Sequence, residues 1–174
     1  MSDLTIEEFC NLHNACKEGR KWALEHCTSM QDAWNKLKPD WLIWTATREK
    51  VLTDKEFRLF AVWSARQIQH LMEDPRSIVA LDVAEKYANG QASYEDLTSA
   101  WVEAWAAAGT AVAAMAWAAA WAAAETVTAD ADAAAVRVAD LYADAATDRV
   151  EAVTAQVRWL RENTNPNFTR KANP

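Results

Sequence analysis

From Ala104 to Ala124 the chain runs for 21 residues without a charged side chain. That length meets the requirement for a membrane-spanning helix. The residues are of the wrong kind, however. Ala dominates, Gly109 and Thr110 interrupt, and the run contains no Leu, Ile or Phe. Strongly favourable insertion into lipid comes from Leu, Ile, Phe and Val, whereas Ala contributes little. Glu103 and Glu125 flank the run, and no Lys or Arg occurs from 88 to 136, so a positive anchor is missing. The run therefore reads as the buried central helix of a bundle in water, and no membrane association is expected.

Residues 100 to 135 hold 20 Ala, the best helix former. Trp101 and Trp105 share one helix face, as do Trp117 and Trp121. At 100° per residue Trp117 lies about 160° from Trp101, so a continuous helix carries Trp on both sides. A helix that is apolar all round is usually buried. A Trp pair left exposed would instead serve as an interaction anchor.

Helix signals recur through the rest of the chain. Thr5 with Glu8 and Thr53 with Glu56 are capping boxes, in which the hydroxyl takes an orphan N–H and the Glu reaches back. Asn14 is placed as the cap of a helix over 15 to 27, and Ser29 with Asp32 opens one through Leu37. Pro39-Asp40 restarts the chain for 41 to 48, and the Thr53 box leads into a helix over 57 to 72. Asp74-Pro75 is a cap followed by an N1 proline, and that helix stops at Asn89-Gly90. Ser93 opens the next, with a break expected near 126 to 130. The last helix, about 130 to 163, carries Val150, Val153, Val157 and Leu160 as an apolar stripe. No strand alternation appears. Three Gly and four Pro are too few for the many tight turns of a sandwich or barrel.

The expected fold is all-α, an irregular bundle of about seven or eight helices around the long Ala/Trp-rich helix. It forms a single domain over 1 to 163, with a short-helix part over 1 to 90 and a long-helix part over 91 to 163. Residues 164 to 174 read as a flexible tail.

Charge is uneven. Residues 1 to 93 carry 14 acidic and 12 basic side chains, residues 94 to 151 carry 10 and 2, and residues 152 to 174 carry 1 and 4. A net charge of -7 disfavours a general nucleic-acid binder. Asp140, Asp144 and Asp148 stand one above another on a helix, with Glu151 and Trp159 beyond them. They form either a solvated face that keeps an apolar protein soluble or a docking strip for a basic protein partner.

Little in the chain points to catalysis. There is no Gly-rich phosphate loop and no Gly-x-Ser-x-Gly, and His70 is isolated. Cys10, His13 and Cys16 are candidate zinc ligands at i, i+3, i+6, but the Cys-x2-Cys knuckle is absent and the spacing crosses a helix break. The expectation is no enzyme, no metal and no cofactor. Three cysteines, all before residue 28, do not make a disulfide framework, and Met1-Ser2-Asp3-Leu4-Thr5 carries no secretory pattern, so a cytoplasmic setting is expected. Arg66, Asp74, Arg76, Asp82 and Glu85 form a polar cluster for which an Arg66–Asp74 or Arg76–Glu85 clamp is expected, serving as a helix-corner tie or a ligand site.

The stretches Phe60-Ala61-Val62-Trp63-Ser64-Ala65-Arg66, Asp74-Pro75-Arg76-Ser77 and Leu81-Asp82-Val83-Ala84-Glu85-Lys86-Tyr87-Ala88-Asn89-Gly90, followed by the Ala/Trp run, carry a resemblance. With Trp22, Trp34 and Pro39-Asp40-Trp41-Leu42-Ile43-Trp44 upstream, they resemble a group of uncharacterised helical phage and bacterial proteins. That group is similar in texture to immunity proteins of bacterial toxin systems. The resemblance covers about 10 to 125. The chain departs from the group at Ser64, where a Cys is common, and in lacking Arg within the Ala run. What the resemblance implies is a phage or mobile-element protein that binds and inhibits or neutralises a protein partner, such as a toxin or a host defence component. The alternative is a structural or assembly protein that self-associates through the Val150–Leu160 stripe. A third reading is a small-ligand sensor with a Trp-lined pocket.

Overall fold

The computed structural model describes residues 3–48, 50–107 and 148–169. Its helices begin where short side chains satisfy the orphan N–H groups of a first turn. α1 (Ile6–Leu12) and α5 (Asp54–Arg66) start at the Thr5 and Thr53 capping boxes. α3 (Met30–Lys36) is capped by Ser29, and α4 (Pro39–Ala46) has Pro39 in its first turn. α6 (Pro75–Ala88) begins at Asp74, whose carboxylate accepts from the Arg76 N–H, and closes at Asn89. Gly90 follows at φ 72°, the left-handed conformation that favours glycine. α7 (Tyr94–Ala107) follows Ser93, whose hydroxyl accepts from the Asp96 N–H while the Asp96 carboxylate takes the Ser93 N–H. Among the described residues the fold is all-α, with eight α-helices once α2 (Lys17–His26) and α8 (Arg149–Asn163) are added.

Three boundaries and one helix face differ from expectation for identifiable local reasons. Asn14 does not cap α2 (Lys17–His26); it turns at φ 53° and the Cys16 Sγ accepts the Gly19 N–H instead. Asn tolerates that left-handed turn better than most residues, which frees Cys16 to cap. α5 stops at Arg66, and a single 3₁₀ turn over Gln69–Leu71 follows, so that Ile68 and Met72 turn inward and are buried. The last helix, expected over 130 to 163, does not run through Asp148, and 130 to 147 lie outside the described residues. Asp148 is extended, and its carboxylate accepts from the N–H groups of Val150 and Glu151, so α8 spans Arg149–Asn163. The Asp148-x-x-Glu151 spacing is the sequence cue for that start. The stripe on α8 is also corrected. Val150 is exposed, while Val157 and Leu160 are buried with Ala152 and Gln156, so the inward face is rotated from the one expected.

The expected tail does not hold for 164 to 169. Phe168 is buried. Its ring meets Phe9 at 5.7 Å and Trp34 at 6.2 Å, both edge-on. The Leu4 N–H donates to the Phe168 carbonyl (2.8 Å), the Asn167 N–H to the Val51 carbonyl (2.7 Å), and the Asn165 N–H to the Glu56 carboxylate (2.7 Å). An isolated antiparallel bridge pairs Asp3 with Thr169. One aromatic side chain with a deep place to go outweighs the polar composition around it, because burying an aromatic ring contributes several times more than a surface contact.

Two apolar clusters result. The larger gathers Phe9, Trp34, Leu42, Phe60, Leu160 and Phe168 with their neighbours from α1 to α5 and α8. Arg161 on α8 ties this cluster to α3, donating from Nε to the Trp34 carbonyl (3.2 Å) and from Nη2 to the Leu37 carbonyl (2.9 Å). Those carbonyls belong to the unsatisfied end of α3. The smaller cluster joins α5, α6 and α7 through Val62, Ala80, Ala84, Leu97, Ala100 and Ala104. Small side chains here let the helix backbones approach closely.

Ser64 and Ser77 share that small-residue packing, and both are fully buried with hydroxyls lacking a hydrogen-bond partner. A buried hydroxyl without a partner costs about 1–3 kcal/mol. Ser64→Ala is therefore expected to leave stability unchanged or raise it by about 1 kcal/mol. A denaturant midpoint that falls clearly below that of the parent would contradict this.

Candidate functional site

The docking strip expected on the C-terminal acids falls only in part on described residues. Asp140 and Asp144 lie outside the described residues, as do Trp117, Trp121 and 108 to 147 as a whole. Asp148 serves as a helix cap, and Glu151 is exposed. Trp159 faces the core rather than a partner. Its ring stacks on Trp63 (centroids 5.8 Å, 28°) and lies 5.6 Å from Phe60. Trp159 is only about 80° in rotation from Glu151 on α8, and it is the contact with Phe60 and Trp63 that draws its ring toward the core.

The Arg66 cluster does form, with different pairings. Arg66 Nε donates to Glu85 (3.0 Å), Nη2 to Asp82 (2.8 Å) and Nη1 to the Gln69 carbonyl-type oxygen (2.8 Å). Asp82 and Glu85 stand three residues apart on one face of α6, so a single guanidinium bridges both. Burial opposes the charge of Arg66, but the bonds to Asp82 and Glu85 outweigh it and raise its pKa. Asp74 is taken by Arg76 instead (Nη2 to carboxylate 2.7 Å), and Arg76 also approaches Glu103 of α7 at 3.9 Å. The cluster is thus a tie across α5, α6 and α7, and the Arg66–Asp74 and Arg76–Glu85 pairings are not the ones adopted.

Cys10, His13 and Cys16 do not converge on a metal. Cys10 is in the core, where burial pushes its thiol pKa up and disfavours the thiolate a metal needs. His13 closes α1 with its ring 4.5 Å from Phe9, and Cys16 caps α2. Among the described residues no group of three or more His, Cys, Asp or Glu side chains is placed to hold a metal ion. No helix among them is long and apolar enough to cross a membrane.

Among the described residues two surfaces have the shape to bind something. One is a cavity of about 250 Å³ among α1, α2, α3 and α4, with Phe9, Met30, Leu37, Trp41 and Trp44 in its wall. The other is the outer side of α7. Leu97, Ala100 and Ala104 of that helix are buried, whereas Tyr94, Val102 and Trp105 are 60%, 50% and 61% exposed. At 100° per residue these three fall within about 80° of one another, so they make one stripe. Exposed Glu95, Asp96 and Glu103 lie on the same helix. The expectation was a helix buried all round, with an exposed Trp pair as the alternative; Trp101 packs against the cluster of α5, α6 and α7, while Trp105 is exposed and is joined there by Tyr94 and Val102. Their i, i+8 spacing is the signal that marks them.

Comparison with protein-family models, curated proteins and solved structures finds no match for the chain.

Three surface carboxylates set an acid limit. The Lys36 ammonium and the Thr28 N–H hold Asp32 below the usual carboxylate range. Arg76, through side chain and backbone, does the same for Asp74, and Ser93 does so for Asp96. A carboxyl depressed in the folded state stabilises above its unfolded pKa of about 3.9, and that contribution is lost as pH falls through the folded value. Stability is expected to be flat from about pH 7 to 5 and to drop below about pH 4. Circular dichroism across an acid titration reads it. The combined Asp32→Asn, Asp74→Asn and Asp96→Asn variant should show a shallower drop; an identical profile would assign the loss to other groups.

Proposed function

We propose that the protein is a non-enzymatic binding module that engages a protein partner through the exposed stripe on α7. The observation carrying this reading is the placement of Tyr94, Val102 and Trp105 on one solvent-facing side of a helix whose opposite side is packed. Singly exposed apolar residues are ordinary, but three large ones at helical spacing match the anchors by which helices dock. Trp and Tyr are also the residues most enriched at binding hot spots. The helix lies in the acidic part of the chain, 94 to 151, with 10 acidic against 2 basic side chains. A partner with a basic rim around an apolar centre would be steered to it. Inhibition or neutralisation of a toxin or host defence component is the role that the resemblance of the sequence adds to this reading. Self-association through the Val150–Leu160 stripe has less support, since Val157 and Leu160 are core residues and only Val150 is strongly exposed.

The test is affinity capture from the native host with the parent chain and with Val102→Ser/Trp105→Ala. Truncating a hot-spot Trp costs about 2 kcal/mol or more, so the captured partner should bind the variant about 30-fold more weakly. The interaction should also weaken with salt. Equal retention of the same partner by a variant with parental circular dichroism would overturn the assignment of the stripe.

A further inference from the structure

We propose that the cavity among α1, α2, α3 and α4 is a binding site for an uncharged aromatic small molecule of fused two-ring size. It is separate from the α7 stripe and does not depend on it. The size follows from the volume. An apolar cavity of roughly 150 Å³ takes up benzene, and this one measures about 250 Å³. The wall is apolar at depth, with Ile6, Phe9, Ala23 and Met30 all buried, so entering apolar surface leaves water for a matched surface.

Aromatic character follows from Trp41 and Trp44, which line the cavity, and from Phe9, which already meets Trp44 edge-on at 6.3 Å. A flat guest adds to that set by offset or edge contacts. Absence of charge follows from what the lining offers. Its one charged member is Asp40, which is exposed and therefore sits at the rim, where it repels anions. Cations are already supplied to the Trp rings by the chain itself: Lys38 lies 5.0 Å from the Trp41 ring and Arg48 lies 4.8 Å from that of Trp44. The Thr45 hydroxyl is engaged with the Trp41 carbonyl at 2.7 Å. A strongly polar guest would therefore leave its solvation without replacement.

Gly19 keeps α2 close to this wall without filling it. A Cβ there would stand 3.2 Å from the Cys16 Sγ and 3.5 Å from the Trp41 ring. Cys16, exposed, and Cys10, buried, both line the cavity and report on its occupancy.

Naphthalene and indole are the probes, with 1-naphthoate and a naphthylmethylammonium salt as charged counterparts, all titrated into the full chain. Expected are saturable one-to-one binding of the neutral probes by saturation-transfer NMR, a raised melting temperature, and at least tenfold weaker binding of both charged analogues. Ala15→Phe, which places a ring in the cavity wall, should abolish binding. Should that variant misfold, the parent chain still decides. Naphthalene should slow N-ethylmaleimide modification of Cys10 and Cys16 several-fold, with Cys27 unaffected. No saturable binding, equal binding of the charged probes, unslowed Cys10 and Cys16, or occupancy only by an aromatic side chain within a peptide would each overturn the proposal.

Discussion

Phe168→Ala is expected to destabilise the protein by about 3–5 kcal/mol, the range for truncating a buried aromatic ring. For a chain of this size that lowers the melting temperature by roughly 6–20 °C. The ring is 5% exposed and packs against Phe9 and Trp34, two of the largest fully buried side chains of the same cluster. Its removal leaves a cavity bounded by α1, α3 and the segment after α8. The surrounding backbone is also held by bonds to Leu4, Val51 and Glu56, so it cannot readily collapse into the gap. Differential scanning calorimetry measures the effect. A shift under about 2 °C would mean that 164 to 169 is a tail after all. Thr169→Ala, beside it, is the control and should lie within about 0.5 kcal/mol of the parent.

Leu97→Ala is expected to cost about 2–5 kcal/mol. Leu97 is fully buried, and the other buried residues of its cluster are Val62 and four Ala. Small neighbours cannot move in to fill the space of a lost isobutyl group, which places the expected cost in the upper half of that range. Tyr94→Ala, one turn away on the exposed side, should change stability by no more than about 0.5 kcal/mol. Urea unfolding of both variants decides which side of α7 is core. Equal effects would remove the distinction between packed and exposed sides, and with it the stripe proposed for partner binding.

The helix starts were legible because their partners are close in the chain. Thr5 with Glu8, Ser29 with Asp32, Thr53 with Glu56 and Ser93 with Asp96 all close over three residues, and Asp74 with Arg76 over two. Such contacts depend on local geometry alone, so residue type and spacing suffice. Where two local options competed, the choice was not legible. Asn14 and Cys16 both stood before α2, and Asp148 interrupted a segment otherwise rich in helix formers. The polar cluster on α5 and α6 was legible as a set, since Arg66, Asp82 and Glu85 stood out together. Its pairings were not, because they depend on how the two helices cross.

All-α character, the helix starts and the acidic bias toward the C-terminal half needed nothing beyond the order of the residues. They arise from interactions within a turn or two, or from simple charge. The burial of Phe168, the tie from Arg161 to the end of α3, the cavity among the first four helices and the outward side of α7 were decided only by packing. The bonds that hold them join residues 109 to 164 positions apart, or depend on the rotation of one helix against another. Segments that far apart meet only when the whole core closes, and the apolar surface buried at that moment selects which face of each helix turns inward.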